Sequence, residues 1–260
     1  MKKPLNYDLN CEFFSAKRFE DVIVLRLKEN LLLQATDLGA RDTVLNYLDR
    51  VSESLSIKVI LIINDSMKKG CDEYFDFFNR ALKHWDLMDV HRIHNVFTQI
   101  ILKIVELKKI VVHANRGCVI SLFLNVSLAC DYRIVAGDTV FQNPFLKLGL
   151  VPMGGGAFFL PRMIGAGKTY RILLSDNDIT AHEAMTLGIV DEVVDSEKLE
   201  AAALAAARRF AQNPARSLAG VKRLINYSMK DLREFMEIEH QELMKIVESH
   251  DYMDSSTKTS

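Results

Sequence analysis

The first third of the chain alternates between two apolar rhythms. VIVLRL, residues 22–27, is rich in β-branched side chains and predicts a strand. ATDLGARDTVLNYLDRVSES, residues 35–54, places its apolar residues at helical spacing. IKVILIIN, residues 57–64, is apolar along most of its length, the pattern of a strand buried on both faces. A polar loop, DSMKKGCDEY, separates it from helical FDFFNRALKHW and from a second helix expected from about residue 89 to 108. IVVHAN, residues 110–115, predicts the next buried strand. This βαβ rhythm points to the α/β class.

RGCVISLFLNVSLACDYR, residues 116–133, reads as a buried helix, yet it carries one amide, Asn125, inside an apolar run. It begins where a buried strand ends, and open α/β sheets bind ligands at that edge. The stretch is therefore either core or an active-site helix whose working groups have been replaced. Beyond it, YRIVA and TVFQNP predict short strands, VPMGGG a turn, and AFFLPRMIG a helix. From Ala166 the chain is mainly helical. Thr180 with Glu183 forms a capping-box signature, Gly188 fits a C-terminal cap, and VDEVVD predicts a short strand. Three amphipathic helices are expected around residues 197–212, 214–228 and 231–248, followed by a polar, frayed end.

Composition narrows the class. The 260 residues are 49% hydrophobic, ample for a sizeable core. Basic and acidic residues, 33 and 34, nearly cancel, which argues against a nucleic-acid partner. Cys11, Cys71, Cys118 and Cys130 have neither metal-ligand spacing nor a dense disulfide pattern, as expected of a protein in a reducing cytoplasm. MKKPLNYDLN has a basic start without the apolar centre of a signal peptide. No apolar run approaches the roughly 18 residues of a membrane span, so no membrane partner is expected.

Two segments together carry a resemblance. RGCVISLFLNVSLACDYRIVAGDTVFQNPFLKLGLVPMGGGAFFLPRMIG resembles the central signature of the crotonase superfamily, the enoyl-CoA hydratase/isomerase family. There a glycine-rich helix start runs into an ALACD-type stretch and then a Pro-Glu block ahead of paired glycines. LLSDNDITAHEAMTLGIVDEVVDSEKLEAAALAAARRFAQNPARSLAGVKRLI resembles the family's next segment, and the likeness runs from about residue 22 to 252. It implies a ClpP/crotonase-like spiral of ββα units in two nearly perpendicular sheets. That core would span residues 1–195, with a C-terminal helical region over 196–260 that covers the site and builds homotrimers or hexamers. The implied ligand is an acyl-CoA or acyl-carrier-protein thioester, with no cofactor beyond the coenzyme A of the substrate and no metal. Two backbone N–H groups would hold the thioester oxygen as it becomes an enolate, because developing charge is best met by preorganised donors in a dry site.

Residue by residue, the resemblance makes the N–H of Cys71, after Gly70, the first oxyanion donor. Lys68 and Lys69 beside it are either ligands for CoA phosphates or solvated surface charges. The second donor falls at Leu122, in Ser121–Leu122–Phe123, where the family has three glycines. A backbone N–H survives this change, but Leu and Phe side chains crowd the approach that glycine leaves open. The two acid/base glutamates fall at Asn125 and Phe145. An amide takes up no proton at neutral pH and a phenyl ring has none to give, so hydration by the usual pair is not expected. Ser121, Gln142, Asn143 and Asp72 are the remaining polar candidates, with Ser121 and Asn143 toward substrate, and Asp131 is a structural acid in the family.

MGGGA lacks the lysine and hydroxyl residue of a phosphate loop. His91 and His94, three apart, read as a surface pair rather than metal ligands, and His113 reads as a satisfied core histidine. His240 and Lys222, on the terminal helices, are left without an assigned role. FMEIEHQELMKIV carries Phe235, Ile238, Leu243, Ile246 and Val247, more apolar positions than one subunit is expected to bury. Three functions stay open: an enolate-stabilising enzyme of the hydratase/isomerase kind, a polyketide-type decarboxylase of the same fold, and a non-catalytic binding or scaffold protein.

Overall fold

The computed structural model describes residues 6–28, 37–64, 72, 87–175 and 177–249. Its strands are β1 (Leu9–Asn10), β2 (Phe14–Phe19), β3 (Val22–Leu27), β4 (Val59–Asn64), β5 (Ile110–Asn115), β6 (Cys118–Ile120), β7 (Tyr132–Ala136), β8 (Val140–Gln142), β9 (Ile179–Thr180) and β10 (Glu192–Val194). The α-helices are α1 (Leu38–Glu53), α2 (Leu87–Glu106), α3 (Ser121–Leu128), α4 (Gly156–Ile164), α5 (Ala166–Leu173), α6 (Ala181–Leu187), α7 (Leu199–Ala211), α8 (Ala215–Asn226) and α9 (Leu232–Ser249).

Seven strands form one sheet in the order β1-β2-β3-β4-β5-β7-β10, and β6-β8-β9 form a second. Pairing is antiparallel among β1, β2 and β3 and parallel from β3 to β10. Successive side chains of a strand face opposite ways. Ile60, Ile62 and Val111 therefore meet Leu48 and Val51 of α1 and Ile93, Phe97 and Ile101 of α2. Leu61, Ile63, Val112 and Ala114 meet Leu199, Ala203, Ala206 and Ala207 of α7 on the other face. The small side chains on α7 let that helix lie close to the sheet.

The stretch 116–133 differs from the single helix expected. Cys118–Ile120 pair in parallel with β8 as the edge of the second sheet, and only Ser121–Leu128 are helical. Buried Val119 and Ile120 gain a strand partner in Val140–Gln142, which periodicity along one segment cannot reveal. The capping box is present, with the Glu183 carboxylate accepting from Thr180 N at 2.8 Å, and Gly188 ends α6 at φ 83°. FDFFNRALKHW lies outside the described residues.

Two contacts fasten the terminal helices. Lys222 of α8 is buried and donates from Nζ to Asp131 Oδ2 (2.8 Å), Ile104 O (2.9 Å) and Lys109 O (3.1 Å). Asp131 also accepts from Val111 N at 2.7 Å. Burial raises the Asp131 carboxyl above its ordinary range, and the Lys222 ammonium opposes that rise. Helix α9 lies on α2, where the expected surface pair is in fact part of a packed cluster. His240 Nε2 is 2.6 Å from His91 Nδ1, and buried His94 has Nε2 3.3 Å from Glu239 Oε1. Residues three apart on α2 share the face that α9 covers, so His94 is buried and His91 half-buried. Among the described residues no three His, Cys, Asp or Glu side chains are placed to hold a metal ion.

The apolar positions of α9 also differ from expectation. Met236, Leu243 and Val247 belong to the subunit's own core, and Phe235 and Ile246 pack against it, leaving Ile238 exposed. The larger exposed apolar group lies on and just after α8: Val221, Leu224, Ile225 and Tyr227.

Removing one partner of a buried ion pair leaves the other uncompensated. Lys222→Met is expected to lower unfolding free energy by about 3 kcal/mol in urea titration, with part recovered when Asp131→Asn is added. Burial first, then His94 and His91, lower the His240 pKa from 6.5 to about 4. The unfolded chain therefore binds the proton first as pH falls, and this stabilisation is intact above about pH 6.5 and lost toward pH 4. His240→Gln should flatten the stability profile between those two pH values relative to the unmodified chain.

Candidate active site

β4 and β5 end side by side, with Asn64 opposite Asn115 and Arg116 N donating to Asn64 O at 3.2 Å. The chain leaving β4 carries Lys68, Lys69, Gly70 and Cys71, all outside the described residues. The chain leaving β5 runs through β6 into α3, whose first turn contains Ser121 and Leu122. Ile120 precedes that helix without a side-chain cap. The first N–H groups of a helix have no intrahelical acceptor, so the Leu122 N–H is available to a ligand oxygen. The crowding expected from Leu122 and Phe123 concerns side chains outside the described set, as does any side-chain role of Ser121.

Asn125 is 2% exposed and donates from Nδ2 to Met153 O. Its Oδ1 lies against Gly156, where a Cβ would come within 2.7 Å of it. Asn125 thus works as a hydrogen-bond donor fitted to a glycine, a task that no ionised carboxylate can perform. Phe145 is fully buried in the main apolar cluster, and its carbonyl accepts from Leu148 N and Leu150 N at the start of a short 3-10 turn. Asn143 donates to Ile172 O and Leu173 O at 3.2 and 3.3 Å, at the C-terminal end of α5. Gln142 donates to Asp178 Oδ2 at 3.1 Å. The structure brings Leu122 and Asn125 together on one helix, and it engages the amide of Asn143 at the end of another.

The sequence reading missed Glu239. Its carboxylate is buried and accepts from Gly154 N (2.7 Å) and Gly155 N (2.9 Å), immediately before α4. Gly155 sits at φ 75°, a conformation that a side chain would strain. A negative charge suits the positive end of a helix. The turn 153–156 is therefore held from two sides, by Asn125 on the Met153 carbonyl and by Glu239 on the glycine N–H groups. A signal was present: Glu239 falls in the α9 stripe of Met236 and Leu243, where an unpaired acid would be costly.

An apolar cavity of about 110 Å³ adjoins α3, with Leu25, Ile62, Val96, Phe97, Ile100 and Val126 among its walls. His113, on β5, also lines it. The ring is 1% exposed, and Asn115 Nδ2 lies 2.9 Å from its Nδ1. Burial, then the nearby Arg133 charge, lowers the His113 pKa to about 3, so the ring is neutral at physiological pH. The core histidine expected from sequence is thus bonded at one nitrogen and also lines the cavity.

The chain resembles solved structures over nearly its whole length. The enoyl-CoA hydratase of Bacillus halodurans superposes with a TM-score of 0.78 at 20% identity, covering 94% of this chain and 98% of that one. DspI of Pseudomonas aeruginosa gives 0.73 at 18% identity, covering 98% and 94%. These likenesses show the crotonase fold. The fatty acid oxidation complex subunit alpha of Pseudomonas syringae pv. syringae is 34% identical over 208 residues, 77% of this chain and 25% of that protein. The trans-2-decenoyl-[acyl-carrier-protein] isomerase of Streptococcus mutans is 27% identical over 159 residues, 61% of this chain and 60% of that protein. This chain thus spans about a quarter of the first relative's length and less than two thirds of the second's. A family profile described as enoyl-CoA hydratase/isomerase matches residues 21–258. With that match over most of its length, the chain belongs to the enoyl-CoA hydratase/isomerase family.

Proposed function

We propose that this chain binds an acyl thioester of coenzyme A or an acyl carrier protein and stabilises its enolate through the backbone N–H groups of Cys71 and Leu122. The observation that carries the reading is the uncapped first turn of α3, at the end of parallel strands and beside an apolar cavity. Donors fixed by a helix need no reorganisation when charge develops on the thioester oxygen, which is where their contribution to catalysis lies. Relatives named for fatty acid oxidation and for acyl-carrier-protein isomerisation support a thioester ligand.

At Asn125 and Phe145, where the resemblance places the acid/base pair, no carboxylate is available. The reactions this favours need a stabilised enolate more than a strong protein base. Loss of carbon dioxide from a malonyl-type thioester is one: the C–C bond electrons become the enolate, and solvent protonates it. A non-catalytic binding role is the second reading, favoured by the engagement of Asn125 in holding the 153–156 turn. Lys68 and Lys69 are assigned to the CoA phosphates. No cofactor beyond coenzyme A is required for either reading. The cytoplasm is the proposed compartment.

A homotrimer, or a hexamer of two trimers, completes the proposal. Val221, Leu224 (79% exposed), Ile225 and Tyr227 form the apolar group around α8 that a second copy would cover. Sedimentation at micromolar concentration should find trimers or hexamers, and Leu224→Glu should shift the distribution toward monomer. A monomeric unmodified chain would overturn the assembly.

Calorimetric titration with CoA, acetyl-CoA and octanoyl-CoA should show binding that strengthens with acyl length. Crotonyl-CoA hydration should be negligible, because each general acid or base typically contributes about 10² to 10⁴-fold. Turnover near that of an ordinary hydratase would show that other groups perform the proton transfers. Absence of any thioester binding would favour a scaffold.

A further inference from the structure

The cavity beside α3 has mostly apolar walls, with His113 and Arg41 as its polar lining residues. The hydrogen bond with Asn115 engages Nδ1, and with the amide as donor the neutral ring carries its proton on Nε2. Among the described residues, that contact with Asn115 is the ring's hydrogen bond. The remaining N–H is thus a donor with no acceptor among them, in a ring almost wholly out of water. A ring donor left open on a largely apolar wall calls for an explanation.

The placement supplies one. Ile62, paired with His113 in register across β4 and β5, also lines the cavity, as does Val126 on α3, next after Asn125. Val126 lies four residues beyond Leu122, about 6 Å along the helix. A chain entering from a thioester held at Leu122 would therefore reach the cavity a few atoms past its carbonyl. A largely apolar space of this size takes a hydrocarbon. A hydrocarbon alone would leave the imidazole N–H unanswered.

Resting on the thioester reading above, we propose that His113 is a specificity-determining residue. Its Nε2–H would donate a hydrogen bond to a neutral oxygen, hydroxyl or ketone, on the acyl chain beyond the thioester carbonyl. The ring is uncharged, and Arg41 on the same wall is already paired with Asp42 at 2.7 Å, so a second carboxylate on the chain gains little there. A site that hydrogen-bonds a ligand oxygen discriminates against the analogue lacking it, because the buried donor is then left unpaired.

The test is calorimetric titration of the full chain at neutral pH with octanoyl-CoA, 3-hydroxyoctanoyl-CoA, 5-hydroxyoctanoyl-CoA and 5-oxooctanoyl-CoA. At least one oxygenated thioester should bind about tenfold more tightly than octanoyl-CoA, the range of one net hydrogen bond. His113→Leu, of similar bulk without the donor, should abolish the preference while retaining octanoyl-CoA. An independent readout in the unmodified chain is the His113 Nε2 nitrogen resonance. It should shift on binding the preferred oxygenated thioester and stay near its free position with octanoyl-CoA. Octanoyl-CoA binding with no preference for any oxygenated chain, or a preference unchanged in His113→Leu, would overturn the role of His113 alone. Failure of all four to bind would overturn the thioester reading and the inference with it. Should the variant not fold, an unmoved His113 resonance in the unmodified chain is sufficient to reject the proposal.

Discussion

A buried ammonium joins α8 to the sheet. Lys222 reaches from α8 to two backbone carbonyls at the end of α2 and the start of β5, and to the carboxylate of Asp131 between α3 and β7. A lysine out of water is tolerable only when its charge is matched and its donors are satisfied. Here three acceptors and one opposite charge do both. Asp131 in turn holds Val111 N, so one ion pair fixes the spacing of β5, the exit of the site helix and the path of α8. The position of Leu122 at the strand ends depends on that spacing.

The second fixed point is the glycine turn before α4. Asn125 reaches it from the site helix and Glu239 from the last helix, so α3, α4 and α9 are registered on four residues. The absence of a side chain at Gly156 is what admits Asn125 so closely. A glutamate at position 125 would set negative oxygens against the Met153 carbonyl and a side chain longer by one methylene against Gly156. The amide is therefore fitted to this site as a donor, and a carboxylate there would loosen the turn it now holds. This gives Asn125 a structural role of its own.

The helix N-terminus, the neutral imidazole and the apolar cavity are consistent with one another chemically. On the proposed reading, the helix N-terminus meets the oxygen that acquires charge and the largely apolar cavity takes the tail. Low polarity around such a site strengthens the few donors that remain, because little water competes for them.

Much of this was legible in the residues alone. Apolar runs at 57–64 and 110–115 read as strands buried on both faces and are adjacent central strands, and Thr180 with Glu183 and Gly188 set the ends of α6 because caps are local chemistry. The ordered likeness from residue 116 to 225 carried the family, and the amide and phenyl at 125 and 145 were plain in it. Three things needed the tertiary structure. Val119 and Ile120 became a strand because a partner strand exists at Val140–Gln142, which lies beyond any local window. His91, His94 and His240 became neighbours because two helices far apart in sequence pack together. Glu239 and Asn125 acquired their roles only when a turn was placed between them, since a hydrogen bond to backbone leaves no requirement on the partner's residue type. Local propensity and pattern determine which element forms, whereas the choice of which buried polar group meets which is a long-range packing result.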